Sequence, residues 1–144
     1  MNETKPLVLC VDDDDRTIEI LSKIMSRLPL HDATATRPIQ AVELAQRLQP
    51  DLLILDLMLP EMSGWEVLDK IRTCVPGKIP RVIILTAKDN GFERLIAANV
   101  ARVDLFLAKP FDTAELARRV LRLLNLPLGD EWPGRDTGPL RMRA

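Results

Sequence analysis

A run of four consecutive carboxylates, beginning with Asp12 and Asp13, directly follows the short apolar segment LVLCV at residues 7–11. Two unit charges about 4 Å apart repel by roughly 1 kcal/mol in water and by about 4 kcal/mol at an effective dielectric of 20. Unless all four carboxylates face open solvent, something must offset this repulsion. A hard divalent cation is suited to the task, because Mg²⁺ takes one or two protein carboxylates and keeps several waters.

Three more polar side chains, those of Asp56, Thr86 and Lys109, follow other apolar segments of the chain. Functional sites of open parallel sheets form beyond the carboxyl ends of the strands, so we expect these groups to converge with Asp12 and Asp13. Lys109 and the Thr86 hydroxyl could then bind phosphoryl oxygens. Asp56, at the end of a central strand, is the best candidate for a nucleophile that forms an acyl phosphate.

The elements that must position these groups alternate regularly along the chain. Short, mostly continuous apolar runs are typical of strands that are buried on both faces of a parallel sheet, and apolar residues with helical spacing lie between them. The predicted strands are 7–11, 31–36, 51–55, 81–85 and 103–107, and the predicted helices are 15–28, 38–48, 64–74, 90–100 and 112–125. The second strand is predicted mainly from its position. This order predicts an α/β fold with a doubly wound, five-stranded parallel sheet.

Composition fits one globular domain in a chain of 144 residues, with 47% hydrophobic and 28% charged residues. The net charge of −1 gives no field that favours nucleic acid or membrane surfaces. Two cysteines are too few for a disulfide framework, and no apolar stretch approaches the roughly 20 residues that span a bilayer. The expected location is the cytoplasm.

The end of the chain departs from the alternating pattern. Residues 126–144 interleave proline with glycine, which predicts a flexible tail or linker after a domain at 1–125. Docking of Trp132 and Leu140 onto the domain is the alternative.

The polar strand ends occur within longer motifs that resemble the receiver domain of two-component response regulators, over roughly residues 5–125. The motifs are VDD (11–13), DLLILDLMLPEMSG (51–64), VIILTA (82–87) and AKPF (108–111). The resemblance implies the (βα)5 flavodoxin-like fold and a role in phosphorelay signal transduction. It also implies Mg²⁺-dependent transfer of a phosphoryl group to Asp56 from a phospho-histidine on a sensor histidine kinase or phosphotransfer protein. The chain would be a self-modifying switch, which also removes its own phosphate, and not a turnover enzyme.

The same resemblance assigns roles to the residues around the acceptor. It implies that Asp13 binds Mg²⁺ directly, that Asp12 binds it mainly through water, and that Asp56 and the Met58 carbonyl complete the protein ligands. Lys109 would pair with phosphoryl oxygens. Thr86 would reorient toward the phosphate and act as a switch residue. The other two carboxylates of the run, Asp14 and Asp15, are predicted to begin the first helix, where anions suit the macrodipole.

Two positions near the fifth predicted strand depart from the family pattern. Phe106 stands where the family usually has a tyrosine, so we expect an aromatic switch residue that lacks a hydroxyl. Arg102-Val103 replaces the usual Gly-Ala, and a non-glycine residue disfavours positive φ at a helix end. We therefore expect the fourth predicted helix to end differently or to be less ordered.

The last predicted helix resembles those of receivers that dimerise through the fourth helix, fifth strand and fifth helix. The matching charged residues are Asp104, Glu115, Arg119 and Arg122. Leu105 replaces a usual acidic residue, which puts one ion pair in doubt. A homodimer or another downstream partner is therefore expected at this surface, whereas direct binding of nucleic acid or membrane is not.

Two other functions compete with the switch. A phosphatase could use Asp56 and Mg²⁺, but such enzymes need an acid/base Asp two residues later, where this chain has Met58. A binding module that has lost phosphorylation is disfavoured by the complete set of site residues. A P-loop nucleotide enzyme is excluded because no Gly-rich loop with Lys-Ser/Thr occurs.

Overall fold

A computed structural model of the protein describes residues 5–74, 78–87, 96 and 103–128. Five parallel strands form one sheet in the order β2-β1-β3-β4-β5. The strands are β1 (Leu7–Val11), β2 (His31–Ala35), β3 (Leu52–Leu55), β4 (Arg81–Ala87) and β5 (Leu105–Lys109). The helices whose bounds are described are α1 (Asp15–Met25), α2 (Pro38–Leu48), α3 (Gly64–Cys74) and α4 (Thr113–Leu123). The predicted α/β fold with a doubly wound parallel sheet is confirmed.

Most predicted elements have the expected position, and the main difference is a shift of the fifth strand. The sequence predicts it at 103–107, but β5 runs from Leu105 to Lys109, because the chain bends at Asp104. Its carboxylate accepts a hydrogen bond from the Val82 main-chain N–H at 2.8 Å and pairs with Arg81 at 3.2 Å. Lys109 is consequently the last residue of the strand rather than a residue beyond it.

Helix α4 corresponds to the fifth predicted helix, and α1 ends three residues before the predicted end, at Met25. The fourth predicted helix lies outside the described residues except for Ile96, as do Arg102 and residues 129–144 of the predicted tail. In the described part of the chain, no helix has both the length and the apolar character needed to cross a membrane.

Alternate residues of each central strand pack against opposite helical layers. In β1, Val8 and Cys10 contact the hydrophobic cluster that includes α1 and α4, whereas Leu9 and Val11 contact the cluster that includes α2 and α3. The strands β3 and β4 divide their side chains between the same two clusters. This two-sided burial explains why these strands read as continuous apolar runs.

The first polar residues after β1 and β3 still bond to the neighbouring strand. The Asp12 main-chain N–H donates to the carbonyl of Ala35, and the Asp56 N–H donates to the carbonyl of Val11. Both aspartates therefore leave the sheet from backbone positions that are hydrogen-bonded to the neighbouring strand.

Candidate functional site

Asp12 and Asp56 are held by the same local hydrogen-bond arrangement. In each residue Oδ1 accepts a hydrogen bond from the main-chain N–H two positions later, from Asp14 at 2.9 Å and from Met58 at 3.0 Å. Asp and Asn side chains commonly fold back in this way where a chain turns. Both side chains are almost completely buried. Each carboxylate is thus fixed through Oδ1, and its second oxygen, Oδ2, contacts a different group.

The Lys109 ammonium joins these two Oδ2 atoms. Its Nζ donates to Asp12 Oδ2 at 2.6 Å and to Asp56 Oδ2 at 2.9 Å. Burial alone would lower the pKa of Lys109, but the hydrogen bonds and the charges of the two carboxylates outweigh it and raise the pKa. Lys109 therefore remains cationic between the two anions. The peptide bond between Lys109 and Pro110 is cis.

Burial of the Asp12 carboxylate disfavours its charged form, and the hydrogen bond from Lys109 does not fully offset this effect. Desolvation raises the pKa of the Asp12 carboxyl, and the nearby Asp56 charge adds to this, although the hydrogen bonds from Lys109 and Asp14 act in the opposite direction. The charged form of Asp12 is thus less favourable here than in water.

Asp13 completes a cluster of carboxylates at the same edge of the sheet. One carboxylate oxygen from each of Asp12, Asp13 and Asp56 lies within 4.8 Å of the others. Asp13 is exposed, whereas the other two are buried, so the cluster opens to solvent on one side. Hard oxygen donors of this kind suit Mg²⁺, which keeps several of its own waters. The donor set therefore fits the predicted cation.

The loop after Asp56 contains Met58 and the start of α3. The side chain of Met58 is 70% exposed, and its N–H is the donor to Asp56. The Gly64 N–H donates to the Leu57 carbonyl at 3.0 Å. A Cβ atom on Gly64 would lie 2.6 Å from the main-chain oxygen of Asp56 and 2.7 Å from Leu57 Cα. The glycine is needed for this close approach, which the spacing of residues in the sequence does not reveal.

The side of the site formed by β4 and β5 contains the predicted switch residues. Thr86 is buried near the end of β4 and pairs in register with Ala108 of β5. Phe106 is partly buried, and its ring meets that of Trp65 edge-on, with centroids 6.4 Å apart and planes inclined by 62°. The ring of Phe106 therefore contacts α3 in its first turn, where Trp65 lies.

The charged residues expected at a dimer surface make contacts within the chain. Asp104 pairs with Arg81, and Glu115 pairs with Arg119 at 3.4 Å along α4. Arg122 is exposed. Asp14 and Asp15 occupy the predicted helix start: Asp14 is the N-cap and accepts a hydrogen bond from the Arg16 N–H at 2.9 Å, and Asp15 is the first helical residue.

Comparison with known proteins agrees with this fold. Residues 8–121 match the response regulator receiver domain. The chain belongs to the receiver domain family of response regulators, the phospho-accepting signalling switches of two-component systems. This match confirms the family that the sequence motifs indicated.

Relatives with assigned names include transcriptional regulators. The chain is 40% identical over 117 residues to a probable transcriptional regulatory protein TcrX of Mycobacterium tuberculosis, with 81% of this chain and 49% of that protein covered. It is 35% identical over 124 residues to the response regulator MprA of Mycobacterium leprae, with 86% of this chain and 53% of that protein covered. The chain therefore spans about half the length of these curated relatives.

Solved structures show the same architecture. The signal receiver domain of a putative Luxo repressor protein from Vibrio parahaemolyticus superposes with a TM-score of 0.74 at 30% identity, covering 84% of this chain and 91% of that one.

Proposed function

We propose that the chain accepts a phosphoryl group on Asp56 from a phospho-histidine of a sensor kinase or phosphotransfer protein. The observation that carries this proposal is the bridge from Lys109 to the Oδ2 atoms of Asp12 and Asp56. Asp56 Oδ1 accepts a hydrogen bond from a main-chain N–H, whereas Oδ2 accepts one from the Lys109 side chain, so we assign the attack on phosphorus to Oδ2. The P–O bond forms as the P–N bond breaks, and the histidine nitrogen of the donor keeps the electron pair.

The neighbouring side chains stabilise the charge that arrives with the phosphoryl group. Lys109 is already 2.9 Å from the attacking oxygen, so its ammonium can transfer its hydrogen bond to a phosphoryl oxygen as Asp56 is phosphorylated. The Thr86 hydroxyl supplies a further donor from the end of β4. Asp13, Asp56 and the Met58 carbonyl would hold Mg²⁺ directly and Asp12 mainly through water, and the bound ion would offset the carboxylate charges and accept phosphoryl oxygens.

The chain functions as a switch that modifies itself rather than as an enzyme that releases product from many substrates. A phosphatase on such a sheet would need an acid/base carboxylate two residues after the nucleophile. That residue is Met58, whose side chain points to solvent with 70% exposure. Hydrolysis of the acyl phosphate is then left to water, and the lifetime of the phosphorylated state sets the length of the signal.

The partners follow from the family, and their identities stay open. We propose a sensor histidine kinase or phosphotransfer protein as donor in the cytoplasm, and a downstream effector or a homodimer as output. The dimer would use the fourth predicted helix, β5 and α4. Asp104 is already bound to Arg81 and to the Val82 N–H, so dimerisation through Asp104 would have to replace its contact with Arg81.

Intact-mass measurement after incubation with Mg²⁺ and a small acyl phosphate tests the acceptor. We expect a gain of one phosphoryl group that requires Mg²⁺ and is lost in Asp56→Asn. Asp32→Asn is the matched control, because Asp32 is an exposed aspartate on the edge strand β2, and this variant should be phosphorylated normally. Absence of a mass gain in the unmodified chain would favour a binding module without phosphorylation.

A further inference from the structure

We propose that Arg37 and Glu61 are positioning residues for the phosphorylation site, because their ion pair holds the loop that follows Asp56. This loop, residues 57–63, connects β3 to α3. It contributes the main chain of Met58 to the site. The Met58 N–H binds Asp56 Oδ1, and the Met58 carbonyl is a Mg²⁺ ligand under the proposed function, on which this part of the inference rests.

The backbone of the loop is strained at Glu61. This residue has a φ of 71°, in the left-handed region that residues with a Cβ atom disfavour. The Met62 N–H donates to the Pro60 carbonyl at 2.7 Å and closes a three-residue turn around Glu61, and such turns with positive φ at the centre are rare and strained. Glycine would adopt this φ without strain. A glutamate here therefore indicates a use for its side chain.

Arg37 is also an unusual residue for its position. It is the N-cap of α2, where Ser, Thr, Asp and Asn are preferred because their short side chains accept hydrogen bonds from the first turn. Arg37 makes no such bond. Its guanidinium instead lies 3.7 Å from the Glu61 carboxylate. The two positions that depart from local sequence preferences are thus joined to each other, and departures of this kind are expected at functional sites.

The ion pair joins two loops on either side of the strand that leads to Asp12 and Asp13. That strand, β1, lies between β2 and β3 in the sheet. Arg37 follows β2 and Glu61 follows β3. The end of β2 is itself anchored, since Ala35 is buried and its carbonyl accepts the Asp12 N–H at 3.1 Å. The ion pair can therefore hold the exposed loop after Asp56 against a fixed part of the sheet.

The effect of the ion pair is expected to be local. The side chains of Arg37 and Glu61 are 68% and 57% exposed, so solvent screens the pair and its contribution to global stability is small. Loss of an exposed ion pair of this kind should raise the open fraction of the loop about twofold to fivefold. Exchange of the Met58 amide hydrogen, which requires that opening, should become faster by the same factor.

Water-exchange NMR of the Met58 amide in the full chain, without metal, tests the ion pair directly. We expect exchange about twofold to fivefold faster in Arg37→Gln and in Glu61→Asn. Asparagine tolerates positive φ, so the urea midpoint of Glu61→Asn should stay at or above that of the parent although the loop is looser. The reversed pair, Arg37→Glu with Glu61→Arg, should restore slow exchange. Arg47→Gln, at the exposed C-terminal end of α2, is the control and should leave exchange unchanged.

Mg²⁺ affinity separates positioning from a direct effect of charge. Removal of a nearby cation strengthens Mg²⁺ binding and removal of a nearby anion weakens it, so a direct charge effect has opposite signs in Arg37→Gln and Glu61→Asn. Loss of positioning weakens binding in both variants. Calorimetry at an ionic strength of about 0.15 M, where exposed charges more than about 8 Å apart are largely screened, should therefore show about twofold to fivefold weaker binding in each.

Three results would overturn the proposal. The first is unchanged exchange of the Met58 amide in either single variant. The second is tighter Mg²⁺ binding in Arg37→Gln, and the third is faster exchange that the reversed pair does not correct. If the parent chain binds no Mg²⁺ and gains no phosphate, the proposed function fails, but the exchange of the Met58 amide still decides whether the ion pair positions the loop.

Discussion

The two sides of the site are built differently. On the acidic side, β3 is buried throughout and β1 is buried except for its first residue, and both aspartates that follow are anchored to main-chain N–H groups. On the basic side, every residue of β5 is only partly buried. Its functional groups are held by side-chain contacts, Lys109 to two carboxylates and Phe106 to Trp65.

This difference in anchoring implies that the acceptor Asp56 is fixed, whereas Lys109 and Phe106 on β5 can move. Main-chain hydrogen bonds and two-sided burial fix Asp12 and Asp56, so their position changes only if the sheet changes. Partly buried side chains with few anchoring contacts can exchange partners at a smaller cost in free energy. A signal generated at Asp56 is therefore expected to appear at β5, while β1 and β3 stay in place.

The largest expected effect comes from Lys109, which joins the two sides. In Lys109→Met we expect the phosphorylation rate by a small acyl phosphate to fall about 100-fold, the typical cost of losing one positioned donor at developing charge. The carboxylates keep their main-chain bonds and lose a competing cation, so the Mg²⁺ affinity measured by calorimetry should increase. Lys70→Met, at an exposed position of α3, is the control for both measurements.

Loss of Mg²⁺ binding in Lys109→Met would contradict the comparison. It would show that the acidic side depends on Lys109 for its geometry, instead of on its own main-chain contacts.

Gly64 is the next most sensitive position, on the acidic side. A Cβ 2.6 Å from the Asp56 carbonyl oxygen and 2.7 Å from Leu57 Cα cannot be accommodated without a shift of backbone. We expect Gly64→Ala to lower the free energy of unfolding by about 2 kcal/mol, measured by urea denaturation. Lys70→Ala in the same helix should have a small effect. If Gly64→Ala is as stable as the parent, the backbone after β3 can shift to accommodate the methyl group. The acidic side would then not be fixed in the way that the comparison requires.

Burial of the Asp12 charge is expected to lower the stability of the acidic side, and substitution of Asp12 tests this. Burial raises the pKa of its carboxyl, so the folded chain binds this proton more tightly than the unfolded chain, whose aspartates titrate near about 3.9. Stability is then lost as the pH rises from that value through the raised pKa, and the loss persists at neutral pH.

We therefore expect Asp12→Asn, without metal at neutral pH, to raise the free energy of unfolding by about 1 kcal/mol, while Mg²⁺-dependent phosphorylation is lost. The stability difference from the parent should shrink as the pH falls through the raised pKa towards about 3.9, and below that value Asp12 is protonated in both states. Asp32→Asn, on an exposed edge, should show no such difference. A destabilised Asp12→Asn would mean that the bond to Lys109 outweighs the burial of the charge.

The sequence was informative where burial and chemistry leave a local signal. Continuous apolar runs located β1, β3 and β4, and the polar residues that follow them identified the carboxylates that the structure brings together with Lys109. The shift of β5 could not be predicted, since it depends on the contact of Asp104 with Val82 and Arg81, 22 and 23 residues away. The close approach of Gly64 to Asp56 was missed for the same reason, because spacing alone does not show that two backbones touch.

Phe106 gives the smallest expected effect and tests the movable side most directly. Its edge-on contact with Trp65 is of a kind worth about 0.5–1.5 kcal/mol. Phenylalanine has no hydroxyl, so it gains no hydrogen bond in either orientation and biases the switch weakly. In a Trp132→Phe background, the change in Trp65 fluorescence on phosphorylation should be lost in Phe106→Leu. It should be larger in Phe106→Tyr, because a tyrosine hydroxyl can favour one orientation by about 1 kcal/mol. If the tyrosine and phenylalanine forms respond equally, β5 signals without reorienting this ring, and the difference between the two sides does not extend to Phe106.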